Sequence, residues 1–454
     1  MPARKRPPGK LRVLHLIAVI FFTVSGGPYG LEPLFYYVGN HGALLLLLVT
    51  PLLWDVPTIL TVLELNSLMP ITGGYYQWVK RALGIQWAFF EGWWTWLYTF
   101  CDLAIYPVLF VGYASYFVPE IAAYKIPVCL AIIWSSALLN IIGILPVGRV
   151  SMALSIVVLV PFLFMFSMAF LHPGGNPSDG WSPSGLGAGP TSTATPAGFP
   201  ALSLGLYTVM WNFIGWDNAT TYAGEVNRPI RTYFVSVCAA FLITLTVYTL
   251  AALAVSRSGI DTATLKDGGF PLLGQLVGGR WLGMLIAAGG MASTIGLYSA
   301  VLLSVSRVPQ VMADDKLLPA RFCAPHPRFK TPYISIIASS LVVSILVLFT
   351  FADLIIMDII LYGAGLSLEF LALLTLRAKE PHIRRPFRIP LGKPGLVFLF
   401  LLPLGIYAVA LTGAIQSSEK IGLPLYLSIS LLFSPAIIWQ FIRRRRDKAL
   451  PSTG

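Results

Sequence analysis

Apolar residues run along this chain in blocks of about twenty, the length an α-helix needs to cross a bilayer, and short clusters of Gly, Pro and charge separate them. Twelve blocks stand out, near 13–38, 41–66, 84–116, 125–145, 149–171, 201–223, 232–256, 281–313, 332–351, 353–377, 394–417 and 420–442. The pattern predicts an all-α integral membrane protein with twelve transmembrane helices. Two blocks are interrupted. "TVSGGPYGLE" (Thr23 to Glu32) sets two glycines and a proline inside the first, and "MWNFIGWDNATTYAGE" (Met210 to Glu225) sets Gly215, Asp217, Asn218, Thr220 and Thr221 at mid-depth in the sixth. Unwound backbone is tolerated in a bilayer only where protein buries it or where it lines a cavity. A matched pair of breaks in two five-span halves points to an inverted-repeat secondary transporter that binds at the breaks. Gly26, Gly27 and Pro28 would unwind the first span and expose N–H groups of one half-helix and C=O groups of the other.

The blocks divide the chain into a cytoplasmic N-terminus (1–12), a first five-helix repeat (13–171), an extracellular Gly/Pro/Ser-rich loop (172–200), a second five-helix repeat (201–377), a basic cytoplasmic loop (378–393), helices eleven and twelve (394–442) and a basic cytoplasmic tail (443–454). A second external segment, Arg257 to Arg280, contains "SGIDTATLKD", predicted as a short helix capped by Ser258 or Asp261.

Composition agrees with burial in lipid. Of 454 residues, 56% are hydrophobic and 11% charged, too few polar groups for a water-facing surface. The net charge of +12 suggests nucleic acid until its placement is considered. With the N-terminus inside, twenty-six of the 31 Lys and Arg fall on the cytoplasmic side, notably in Arg377 to Lys393 and Arg443 to Arg446. That is the positive-inside rule, so the charge reports topology and argues against nucleic-acid binding; the tail is placed to touch anionic lipid. No small-residue cleavage site follows the first apolar run. The cysteines Cys101, Cys129, Cys238 and Cys323 lack CxxC spacing, which excludes a disulfide framework and a metal cluster.

A carboxylate at the bilayer centre costs several kcal/mol unless paired or hydrated. Asp102 lies mid-span with Tyr106 one turn away on the same face, and Asp217 lies in the second break. No Lys or Arg sits mid-span to neutralise them, so the missing cation is read as the substrate. Glu32 follows the first break, and Asp358, Tyr362 and Glu369 occupy span ten. For Glu64, Glu91 and Glu369 the reading is structural: pairing with cytoplasmic Lys or Arg, or placement at an interface. Trp211, Phe213 and Trp216 flank the second break, where a ring can close over and stack on a cation; core packing is the plainer role for Trp216.

"SGGPYGLE", "EGWWTWLYTFCDLAIYPVLF", "WNFIGWDNATTYAGEVNRPIRT" and "MADDKLLP" together resemble the amino acid–polyamine–organocation superfamily, and most of all its polyamine and L-type amino acid transporter branch of plants, trypanosomatids and prokaryotes. The resemblance implies a leucine-transporter-type fold, a 5+5 inverted repeat with broken helices 1 and 6 and two peripheral helices. It places substrate between spans one, three, six, eight and ten, and makes Trp211 a gating aromatic, Asp217 a proton-sensing acid and Asp102 an aspartate of the polyamine-type branch. Two positions depart from the pattern. Val158 stands about where some proton-coupled relatives carry a lysine, and span eight offers Tyr298, Ser299 and Ser304 where the plant-type pattern has a glutamate.

The sequence reading is therefore a proton-coupled symporter of the plasma membrane, not an enzyme, that imports a small organic cation such as a polyamine without a cofactor. Asp102 and Asp217 bind the amine; Asp217 or Glu32 carries the proton. Ser25, Gly26, Gly27, Ile214 and Gly215 supply backbone contacts, and Tyr106, Trp211, Trp216 and Tyr298 surround the substrate. Sodium stays open through Ser304 and Ser306. The expected partners are the substrate and membrane lipid, with the chain a monomer or a dimer. The alternatives are an amino acid transporter or exchanger, with span-one N–H groups holding the substrate carboxylate, and a ligand sensor that does not translocate.

Overall fold

The structure, a computed structural model, describes residues 12–171, 198–226, 229–265, 268–416 and 418–449. Every regular element in it is helical: α1 (Val13–Val24), α2 (Glu32–Thr50), α3 (Val56–Leu68), α4 (Gly74–Leu83), α5 (Ile85–Ala114), α6 (Lys125–Ile142), α7 (Ile144–Leu171), α8 (Phe199–Phe213), α9 (Pro229–Ser258), α10 (Phe270–Gly278), α11 (Arg280–Val305), α12 (Arg307–Asp314), α13 (Tyr333–Leu346), α14 (Phe351–Lys379), α15 (Lys393–Gln416) and α16 (Ser418–Ala449), with a few 3-10 turns between. Nine helical stretches among the described residues are long and apolar enough to cross a membrane, and α1 and α13 are shorter apolar helices.

The expected interruptions fall where Gly and Pro disturb the apolar period. The first block stops at Val24 and restarts at Glu32, and Gly39 then turns the chain within α2 (φ 66°), separating the first block from the second. The sixth block ends as a helix at Phe213, leaves Ile214 extended, and continues as a 3-10 turn over Asn218–Glu225. A π-helical bulge at Pro51–Asp55 joins α2 to α3. The 172–197 stretch of the Gly/Pro/Ser-rich loop lies outside the described residues. The short external helix appears as a 3-10 turn at Thr262–Leu265, with Asp261 accepting from the Ala263 N–H at 2.9 Å. The last helix runs past the expected end at 442 and takes in Arg443 to Arg446.

Burial separates centre from periphery. The apolar windows of α5 and α11 are each 78% buried, against 22% and 17% for α15 and α16. Packed around α5 are α14, α11, α6 and α4, while α1 lies against α9, α7 and α11. At one end of the bundle, Glu64 receives two hydrogen bonds from Arg377 (2.8 and 2.5 Å) and the Ile389 N–H (2.8 Å), with Arg385 at 3.4 Å. This matches the structural pairing expected for Glu64. A buried ion pair so fully hydrogen-bonded fixes the loop after α14 against α3.

Candidate functional site

The two breaks meet at the centre of the bundle. Gly215 passes so close to α1 that a Cβ there would lie 2.8 Å from the Thr23 carbonyl, and its φ of +95° also excludes most side chains. Gly30, with φ +85°, lets the Trp211 ring lie directly on the first break: a Cβ would come within 2.6 Å of it. The Asn212 amide spans the gap by donating to the Gly30 carbonyl at 3.2 Å. From α11, Ser293 donates to the Gly26 carbonyl at 2.5 Å, and the Leu297 side chain packs against Gly26. Val158 packs against Gly27, an apolar contact.

Five amides of the first break are already engaged. Ser25 and Gly26 donate to the Phe21 carbonyl at 2.8 Å each, Gly27 to Ser25 Oγ at 3.1 Å, and Leu31 to the Pro28 carbonyl at 3.1 Å. The Gly30 N–H donates to Glu32 Oε2 at 2.6 Å, and the Tyr113 hydroxyl donates to Glu32 Oε1 at 2.9 Å. Glu32 also reaches the backbone of Phe270 at the start of α10. This fully buried carboxylate therefore closes the break on itself and ties it to α5 and α10.

Asp102 is the centre of the second feature. Its Oδ1 accepts from the Tyr106 hydroxyl at 2.6 Å and from Trp211 Nε1 at 3.1 Å, and the Tyr106 and Trp211 rings lie 6.2 Å apart. Across the seam, α14 brings Asp358 into electrostatic reach of Asp102, and neither Asp358 oxygen has a hydrogen-bond partner. No Lys or Arg among the described residues pairs with either acid. Phe351 packs edge-on against Trp211 at 5.5 Å and also lines a cavity of about 250 Å³ with Pro33, Tyr37, Tyr207 and Thr208. Phe351 thus connects that cavity to Trp211, and Trp211 to Asp102.

A third cluster lies toward α4. Asp217 receives a long hydrogen bond from Tyr362 (3.4 Å) and contacts Glu369, with Glu91 also within electrostatic reach. Tyr98 donates to Asn218 at 3.3 Å and packs edge-on against the Tyr362 ring at 5.1 Å.

The sequence-predicted residues divide accordingly. Ser25, Gly26, Gly27, Asp102, Tyr106, Trp211, Ile214, Gly215, Asp217 and Glu32 gather around the breaks. Trp216 does not: its Nε1 donates to Asp55 at 3.0 Å and its ring packs on Phe241 of α9, so it is a packing residue. Tyr298 is likewise corrected. Ser293 and Leu297 face the break, and Tyr298, one residue or 100° further round α11, points its hydroxyl toward Ser340 of α13. Glu91 and Glu369 are corrected too: both are buried, beside Asp217, and among the described residues neither pairs with Lys or Arg. Ser304 and Ser306 donate to carbonyls of their own helix, and the Arg307 guanidinium reaches Ser306 Oγ at 3.1 Å. Asp358 was missed as a site residue, although its spacing to Glu369 repeats that of Glu91 to Asp102.

The amino acid permease family matches residues 11–433. A probable polyamine transporter of Arabidopsis thaliana is 34% identical over 406 residues, 88% of this chain and 82% of that one. A polyamine transporter of Oryza sativa subsp. japonica is 32% identical over 457 residues, 98% of this chain and 81% of that one. A methylthioribose transporter of Bacillus subtilis (strain 168) is 25% identical over 354 residues, 72% of each chain.

Proposed function

We propose that this chain, which belongs to the amino acid permease family, is a secondary active transporter that carries a small linear organic cation, such as a polyamine, across the plasma membrane on a proton gradient. Family and relatives indicate a multi-pass membrane transporter rather than an enzyme. The observation that carries the substrate reading is the acid pair Asp102 and Asp358. Both are buried and bordered by Tyr106 and Trp211, and no cation of the described chain compensates them. Buried acids without a cation are costly unless a ligand supplies one, and rings beside them add cation–π attraction.

Glu32 supports an amine over an amino acid. A substrate carboxylate would need the N–H groups of the first break, and there the chain's own carboxylate, carbonyls and the Ser25 hydroxyl already accept five of them. The names of the two plant relatives point the same way. The meeting of the breaks at the centre, with α15 and α16 outside, supports a 5+5 inverted repeat with twelve crossings, and the distribution of Lys and Arg supports cytoplasmic termini. Alternating access would then need Trp211 and Phe351 to move aside, admitting substrate from the 250 Å³ cavity. The guanidinium beside Ser306 argues against sodium there by repulsion. We assign the coupling proton to Asp217 and give Glu32 the role of a strut.

The test is counterflow in liposomes containing the purified protein. Labelled putrescine should exchange against internal putrescine, accumulate when the outside is acidified, and do so without sodium. Binding without exchange would indicate a sensor, and a strict sodium requirement would overturn the coupling.

A further inference from the structure

The buried acids along the seam between α5 and α14 sort into two levels. Glu91 and Asp102 on α5 are eleven residues apart, as are Asp358 and Glu369 on α14. Eleven residues are close to three full turns, so the two acids of each helix share a face, about 16 Å apart along the axis. The helices run antiparallel. Asp102 therefore meets Asp358 at the level nearer the cavity, and Glu91 meets Glu369 at the level nearer α4, where Asp217 joins them.

The α4-side level is an unfinished coordination shell. Glu91 Oε2 and Glu369 Oε2 have no hydrogen-bond partner. Tyr75, from α4, is fully buried and lies within electrostatic reach of all three acids, close to Thr95, yet its hydroxyl makes no hydrogen bond. The other groups facing the acids are neutral: Thr95 donates to Glu91 at 3.4 Å, and Tyr362 to Asp217. No Lys or Arg among the described residues reaches them. Three acids so placed need positive charge brought in, as protons or as an ammonium group. Between the levels stand the Tyr98 and Tyr362 rings, with Trp54 against Tyr362 at 6.2 Å. Such walls suit a polymethylene chain and the cations it carries.

We propose that Glu91, Glu369 and Asp217 form a second ammonium station, so that a linear aliphatic polyamine is held at both ends, with Asp102 and Asp358 holding the other. With three acids facing one ammonium group, the station keeps a proton on Asp217 when the far end of the substrate is seated, so the coupling role of Asp217 is retained. The inference rests on the reading of the chain as a cation carrier, and it makes substrate length the quantity that the seam measures.

The experiment is calorimetric binding of butylamine, putrescine, spermidine and spermine to the purified full-length chain and to its Glu91→Gln/Glu369→Gln variant. In the wild type, affinity should rise with length. In the double variant the spermine-to-butylamine affinity ratio should fall at least tenfold, whereas Asp102→Asn should weaken every amine. The single Glu369→Asp variant, folded as judged by its melting curve, covers the case in which the double variant does not fold: it draws the carboxylate back by one methylene and should lower the same ratio. Unchanged length dependence, or loss in equal proportion at every length, would overturn the proposal. A wild type that binds amines without regard to length sinks this inference alone; one that binds no amine sinks the proposed function with it.

Discussion

Asp102→Asn isolates charge from shape. The amide oxygen of Asn can still accept from the Tyr106 hydroxyl and from Trp211 Nε1, the two bonds that fix Asp102 at 2.6 and 3.1 Å, so the rings keep their places. What disappears is the negative charge opposite the bound ammonium. A hydrogen bond to a charged partner contributes about 1.5–3 kcal/mol, and losing one member of a desolvated charge pair costs about 2–5 kcal/mol. Asp358, with both oxygens unpartnered, remains to hold part of the charge and keeps the loss toward the middle of that range. At about 3 kcal/mol, Kd for putrescine should rise on the order of a hundredfold. The assay is equilibrium binding of labelled putrescine to purified protein, with melting curves to show that the variant is folded. Trp216→Phe serves as the control: it removes the bond to buried Asp55, costs about 1–3 kcal/mol of stability, and should leave Kd within twofold. A folded Asp102→Asn variant whose Kd moves less than threefold would refute the assignment of the amine to this acid.

Further predictions concern the frame of the site. Glu32→Gln should lower stability by about 1–3 kcal/mol through its weakened bonds to Gly30 and Tyr113, read as a drop in melting temperature, while proton-driven uptake per folded molecule persists; loss of proton dependence would return the coupling role to Glu32. Gly215→Ala combines a left-handed φ with a backbone contact at 2.8 Å, so destabilisation of more than about 1 kcal/mol is expected, visible as reduced yield of folded protein. Arg377→Leu leaves Glu64 with its main charge partner gone, at a cost of about 3–5 kcal/mol; wild-type melting behaviour would contradict the importance of that pair.

The breaks were legible because Gly-Gly-Pro and a polar run cannot belong to an apolar helical period, and Asp102 with Tyr106 was legible because one helical turn puts both on one face. Long-range pairing was harder to see. The basic loop that supplies Arg377 and Arg385 accounts for Glu64, but the same reasoning fails for Glu91 and Glu369, because neither span alone shows that α5 and α14 run antiparallel and bring the two acids together beside Asp217. The equal eleven-residue spacings in spans three and ten were present in the sequence, although only the antiparallel packing gives them meaning. Tyr298 and Trp216 are the residue types a site near the breaks would use, but rotation along α11 turns Tyr298 toward α13, and Trp216, in the non-helical break itself, turns toward Asp55 and Phe241. Glu32 reads as a proton carrier because it follows a break; the structure adds donors from Gly30, Tyr113 and Phe270, on which the proposed role as a strut rests.

Cadaverine and lysine share the same chain and two amines and differ only by the carboxylate, so their relative affinity separates an amine site from an amino acid site. Calorimetric titration of both into the purified protein should show cadaverine binding and lysine at least a hundredfold weaker, because Asp102 and Asp358 receive the amine while Glu32 already occupies the amide that a carboxylate would need. Lysine binding as tightly as cadaverine, or more tightly, would contradict the account and make the first break a carboxylate site.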